Sequence, residues 1–213
     1  RLTPRLRDAL AASAARLAET GPRLTLLIDA RSCTTAQLAA LATSLRDQLY
    51  PRWQAWFVGA PPPAGADDRC RHERCAGPKD FLRALNAAAH QSAGDWLALL
   101  PGHSRLPTDA LIEVAERIAA TPGLELVYTD EDRMDDAGRR SEPVFKPAWS
   151  PAFALSGLYP GQLALVRHAR FLELGSFREG FDRVPWYDLL LRVTDRLAAD
   201  RVAHVPMIGH HAW

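Results

Sequence analysis

The chain has 213 residues, room for one domain of ordinary to large size rather than two. Hydrophobic residues make up 47% and charged residues 24%, a globular balance that excludes disorder or fibrous structure for the whole. Lys and Arg number 26 against 25 Asp and Glu, so a formal charge of +1 offers no global field for nucleic acid or an anionic membrane. No apolar run reaches the ~20 residues of a membrane helix. The chain opens at Arg1 without an initiator Met or a signal-peptide pattern, as a fragment or excised domain would. Residues 5–19 carry Leu6, Leu10 and Leu17 on one helical face, and Gly21-Pro22 stops that helix. Residues 23–29 (RLTLLID) read as a strand. Thr35 precedes a helix whose Leu38, Leu41, Leu45 and Leu49 form one buried stripe. Residues 53–59 (WQAWFVG) are a second strand, and residues 60–77 a long loop opened by Pro61-Pro62-Pro63. Pro78 suits a first helical turn, with Phe81, Leu82, Leu85, Ala88 and Ala89 following at helical spacing. Residues 95–100 (DWLALL) are a third strand. Leu111, Val114, Ala115 and Ile118 mark the next helix, and residues 124–128 (LELVY) a fourth strand.

This β-α-β-α-β-α-β series predicts an α/β fold, a mostly parallel sheet with helices on both faces. Ligands of such sheets bind beyond the carboxyl ends of the strands, so the residues just after each strand are the ones to inspect. The second half is less regular. Residues 129–150 are polar, then Pro-rich, without a helical period. A strand over 162–166, a short helix over 169–174 ending at Gly175, a longer helix over 187–197 and a strand over 201–205 complete the reading.

Four segments carry a resemblance. Residues 127–151 read VYTDEDRMDDAGRRSEPVFKPAWSP, residues 161–167 GQLALVR, residues 174–181 LGSFREGF and residues 187–193 YDLLLRV. In order and spacing they resemble glycosyltransferase family 2, in the branch with bacterial rhamnosyltransferase-like enzymes of surface-polysaccharide assembly. The resemblance spans about residues 23–213, which makes residues 1–22 a helical lead-in to a GT-A-like, Rossmann-like domain. It implies a nucleotide-sugar donor over the ends of the first strands. It also implies Mg²⁺ or Mn²⁺ on a D-x-D motif, since hard cations prefer carboxylate oxygens, and a carboxylate as general base for the acceptor hydroxyl.

This chain departs from that pattern at each position. Where the family reads like L-D-H-D-D-E-L, the sequence is Leu100-Pro101-Gly102-His103-Ser104-Arg105-Leu106. Proline has no side-chain ligand atom, and one imidazole holds Mg²⁺ poorly, although His103 with help would hold Mn²⁺ or Zn²⁺. Arg105 offers a positive charge that would neutralise a phosphate without a metal. The acids that contact the nucleotide after the second strand are replaced by Gly59, Ala60 and Pro61. The base position reads Pro185-Trp186-Tyr187-Asp188, and Trp186 accepts no proton. Asp188 remains as a displaced base candidate, against a structural role capping its helix or pairing with Arg192 at i+4.

Asp130, Glu131 and Asp132 follow a strand and read equally as an acceptor or substitute metal site and as an acidic turn paired with Arg133, Arg139 and Arg140. Trp149 offers a face for a sugar ring or a packing anchor, and Trp186 shares the acceptor-like set. His210 and His211 fall where the family has a histidine near the metal; a structural role is the alternative. Cys70, His72 and Cys75 supply three ligands where a closed zinc site needs four, so free thiols are expected, with a Cys70–Cys75 disulfide or a metal as alternatives.

Two functions follow. The first is a degenerate glycosyltransferase domain, a scaffold, dimerisation or acceptor-binding module beside an active glycosyltransferase domain or subunit, with a glycan as acceptor. The second is an active transferase with a rearranged site, using His103, Arg105 and the three acids, with Mn or Mg and a nucleotide sugar. The expected location is cytoplasmic, with membrane association through a partner. Nucleic acid is no expected partner, because no strand interleaves aromatic and basic residues.

Overall fold

The structure, a computed structural model, describes residues 3–213. Its elements run α1 (Pro4–Leu17), β1 (Leu24–Asp29), α2 (Thr35–Arg46), β2 (Trp53–Val58), β3 (Cys70–Glu73), α3 (Phe81–Gln91), β4 (Trp96–Pro101), β5 (Ser104–Arg105) and α4 (Ala110–Ala120). Then follow β6 (Leu126–Met134), β7 (Arg140–Val144), α5 (Pro151–Ala154), β8 (Ala164–Arg167), α6 (His168–Glu173), α7 (Pro185–Thr194) and β9 (Val202–Ala212). Local chemistry sets several boundaries. The Thr34 hydroxyl accepts from the Gln37 amide while the Gln37 side chain accepts from the Thr34 amide, a reciprocal cap that opens α2. Pro4, Pro151 and Pro185 occupy first turns, where the missing N–H costs nothing.

One sheet runs β3-β2-β1-β4-β8-β6-β9-β5, with β7 hydrogen-bonded to β6. The pairs β1–β2, β1–β4, β2–β3 and β6–β9 are parallel and hold the longest registers. Strand β8 is antiparallel to both β4 and β6 and joins the two parallel blocks. Alternation along the strands splits the core in two. Leu24, Leu26 and Ile28 pack with α1, α2 and α4 on one face. Leu27, Trp56, Val58, Leu97 and Leu99 pack with α3, α6 and α7 on the other.

Strands β1, β2, β4 and the start of β6, with the helices between them, lie where the periodicity predicts them. The structure adds what the pattern did not reveal. The 60–77 loop contains edge strand β3, exposed at Arg71 and His72. The polar stretch after Tyr128 continues as β6 to Met134 and turns back as β7, whose residues are all exposed. Strand β9 extends to Ala212 because it follows β6 in parallel along that whole length. Helix α1 packs on α4 and buries Leu10 and Ala14 in the first core. Cys33, Cys70 and Cys75 are free thiols, each half-buried. Among the described residues no helix is long and apolar enough to cross a membrane.

Candidate functional site

A cleft of about 450 Å³ opens beyond the carboxyl ends of β1 and β4. Asp29 from β1, Pro101 from β4 and His103 just after it line one wall. Asp182, Arg183 and the start of α7, including Trp186, line another. This is the place the parallel block dictates, since loops diverge where strands end.

Arg31 lies inside this cleft. Its Nε and Nη2 donate to the two carboxylate oxygens of Asp29 at 2.9 and 2.8 Å, and its guanidinium sits 3.3 Å from the centroid of the Phe81 ring. The hydrogen bond to Asp29 raises the Arg31 pKa above its ordinary value. Both partners are two-thirds covered, so the pair is a fixed polar floor of the cleft rather than a mobile surface contact. Cys33 lines the same wall, and burial pushes its thiol pKa up, which keeps it a thiol rather than a reactive thiolate.

The sequence-selected residues separate into three groups. His103 and Trp186 share the cleft. Trp186 is buried, packs near Phe177 with ring centroids 6.4 Å apart, and its indole N–H has no hydrogen-bond partner among the described residues.

Asp130, Glu131 and Asp132 belong to β6, beside β9, and each has charged or polar partners. Asp130 Oδ1 accepts from the Lys146 amide at 2.9 Å and lies 2.7 Å from His204 Nε2. Glu131 Oε2 accepts from the Gln162 amide at 3.1 Å and faces Lys146 Nζ at 3.3 Å. Asp132 pairs with Arg140 Nε at 2.6 Å and with His211 Nδ1. Lys146 is the hub: its buried ammonium also donates to the carbonyls of Thr129 at 2.7 Å and Pro160 at 3.0 Å. Burial lowers its pKa, and the Glu131 carboxylate offsets part of that.

The remaining candidates stand apart. Arg105 leaves the cleft and points past β5: its Nη1 lies 3.6 Å from Met134 Sδ and its guanidinium 4.2 Å over the Trp213 ring. Asp188 is buried and accepts from Arg192 Nε at 2.9 Å and Nη2 at 2.8 Å, with Arg178 as a second partner. Trp149 stacks on Tyr159, ring centroids 5.7 Å apart.

The residues do not fit a metal ion in the manner of a D-x-D site. Among the described residues no three His, Cys, Asp or Glu side chains gather at ligand spacing. His103 is the one imidazole of the cleft, and the Asp29 carboxylate is committed to Arg31. Residues the sequence reading missed are Asp29, Arg31, Asp182 and Arg183. Asp29 and Arg31 were findable, since they end and follow the first strand; Asp182 and Arg183 reach the cleft only through tertiary folding.

No family model matches the chain. The O-antigen biosynthesis protein RfbC of Myxococcus xanthus is 32% identical over 202 residues, which cover 90% of this chain and 16% of that protein. The y4gI protein of Sinorhizobium fredii is 29% identical over 201 residues, 89% of this chain and 22% of that one. The chain thus spans a small part of the length of the curated relatives it matches. Among solved structures, S. aureus TarS 1-349 superimposes with a TM-score of 0.63 at 14% identity, covering 89% of this chain and 60% of that one. TarS 1-349 in complex with UDP-GlcNAc gives 0.65 at 12% identity, with 89% and 58% covered. The chain thus has the GT-A fold of those glycosyltransferase structures, resembles glycosyltransferase family 2 and is similar in sequence to a segment of an O-antigen biosynthesis protein.

Proposed function

We propose that this domain has lost its own transfer chemistry and serves as an acceptor-binding or scaffold module beside an active glycosyltransferase domain in polysaccharide biosynthesis. One observation carries the reading. The cleft is kept at the strand ends, but Pro101 and His103 stand where metal-binding acids belong and buried Trp186 where a base belongs. Metal-assisted charge neutralisation and proton abstraction are large contributors to such a transfer, and the positions that the resemblance gives to them carry no acid here. Relatives several times longer than the matched segment leave room for a second domain.

A second reading, an active enzyme with a rearranged site, draws on the meeting of His103, Asp182 and Arg183 in one cleft. Turnover and calorimetric binding of UDP-, dTDP- and GDP-sugars, with and without Mn²⁺, separate the two. The degenerate reading expects no transfer from any donor. Transfer that disappears in both His103→Ala and Asp182→Asn would establish the rearranged enzyme instead.

A further inference from the structure

A second cavity, of about 280 Å³, opens where β6, β7 and β9 meet. Glu131, Asp132, Glu142, Gln162 and His210 line it. Gln162 also lines the larger cleft, so the two spaces adjoin at that side chain.

The wall is rich in charge yet locally balanced. Glu131 faces Lys146 at 3.3 Å, Asp132 faces Arg140 at 2.6 Å and Glu142 faces Arg133 at 3.0 Å. A net-charged ligand finds no free counter-charge there. Each carboxylate still has lone pairs for hydroxyl donors.

His210 adds an unmet requirement. It is 1% exposed, with Nε2 2.8 Å from Ser104 Oγ. Its Nδ1 has no hydrogen-bond partner among the described residues and lies 3.9 Å from Glu131 Oε2, beyond bonding reach. Burial, with Lys146, His211 and His103 nearby, pushes the imidazole pKa down to about 3, so the ring is neutral. With the Ser104 hydroxyl donating to Nε2, the neutral ring carries its proton at Nδ1, and a hydroxyl that accepts from Nδ1–H donates its own proton to the Glu131 carboxylate. One oxygen at ordinary hydrogen-bond length from both atoms spans a 3.9 Å gap. Val144, half exposed on the same wall, supplies an apolar surface for the C–H face of a ring.

We propose that this cavity is a subsite for one neutral sugar residue of a glycan, with a hydroxyl bridging Glu131 and His210 and the chain continuing past Gln162 into the cleft. The proposal rests on the acceptor-binding reading above and names the chemistry of what is bound. Amide chemical-shift titrations of the domain with methyl glycosides of neutral hexoses and 6-deoxyhexoses test it, with methyl glucuronide as the charged comparison. The neutral glycosides should move the amides of Glu131, Gln162 and His210 more than those of Asp29 and Arg31. Glu131→Gln, which keeps the shape, should weaken binding about tenfold, and Gln162→Ala should weaken it without touching the buried ion pair. Silence at millimolar glycoside, shifts confined to the cleft, equal binding of the glucuronide, or unchanged affinity in both variants would overturn it. No nucleotide sugar enters this titration, so its failure is distinct from a finding of transfer activity, which would overturn the degenerate reading instead.

Discussion

Asp188 shows what a single buried carboxylate does when the fold supplies two arginines. Its side chain is 4% exposed and bonded to Arg192 and Arg178. Burial pushes its pKa up, and the arginine hydrogen bonds outweigh that and hold it below the usual carboxylate range. Removing the charge strands the largely buried Arg192 guanidinium. Asp188→Asn should therefore lose about 3 kcal/mol of stability at pH 7 in urea denaturation. A depressed acid stabilises the fold above its unfolded pKa of about 3.9, and that share disappears as pH falls through the lower folded value. The wild type should lose stability more steeply below about pH 4 than Asp188→Asn does; parallel acid profiles would show the ion pair to be energetically silent. Gly161 makes a different residue-level demand. Its φ is +75°, and a Cβ there would meet Lys146 Nζ and the Glu131 carboxylate. Gly161→Ala combines left-handed strain of about 1–2 kcal/mol with displacement of a buried ion pair. A thermal midpoint lowered by several degrees checks this, and an unchanged midpoint would mean that the Lys146 hub yields freely.

At the scale of elements, β6 and β9 hold a polar seam of paired acids and imidazoles. Their parallel register sets Glu131 against His210 and Asp132 against His211. The acids named from sequence as a site or an acidic turn are therefore strand residues with cross-strand imidazole partners. Sequence showed the acids and the histidines separately; 78 intervening residues hid the pairing, which a parallel register alone creates. Helix α1 supports a further prediction. Leu10 is 5% exposed in the core beside α4, whereas Leu6 is 46% exposed. Leu10→Ala should cost about 3 kcal/mol, and Leu6→Ala within about 0.5 kcal/mol of nothing. Equal effects in chemical denaturation would mean that α1 does not dock on the core as described.

For the whole molecule, the position of the cleft matters more than its present chemistry. Strand ends, the β4–β5 turn and the start of α7 converge there, whatever side chains they carry. Acids put back at the turn should then find a site already shaped for a donor. Pro101→Asp combined with His103→Asp should make UDP affinity rise by about tenfold on adding Mn²⁺, a dependence that calorimetry should not find in the wild type. A double variant indifferent to Mn²⁺ would show that the cleft has lost donor geometry along with its acids.

Sequence by itself determined the parallel half. Leucine spacing on the helices and apolar strands follow local periodicity, and local periodicity is what a linear string records. The four motif segments carried the family likeness, and Pro101, His103 and Trp186 stand where that likeness implies acids. Tertiary structure alone decided which of these residues meet. It placed Arg105 away from His103, gave Asp188 to two arginines, buried Lys146 at the centre of the acidic motif and set Asp182 and Arg183 in the cleft. The reason is physical: ion pairs and cavity walls join groups far apart in the chain, and β-pairing register and helix docking determine which of them come within reach.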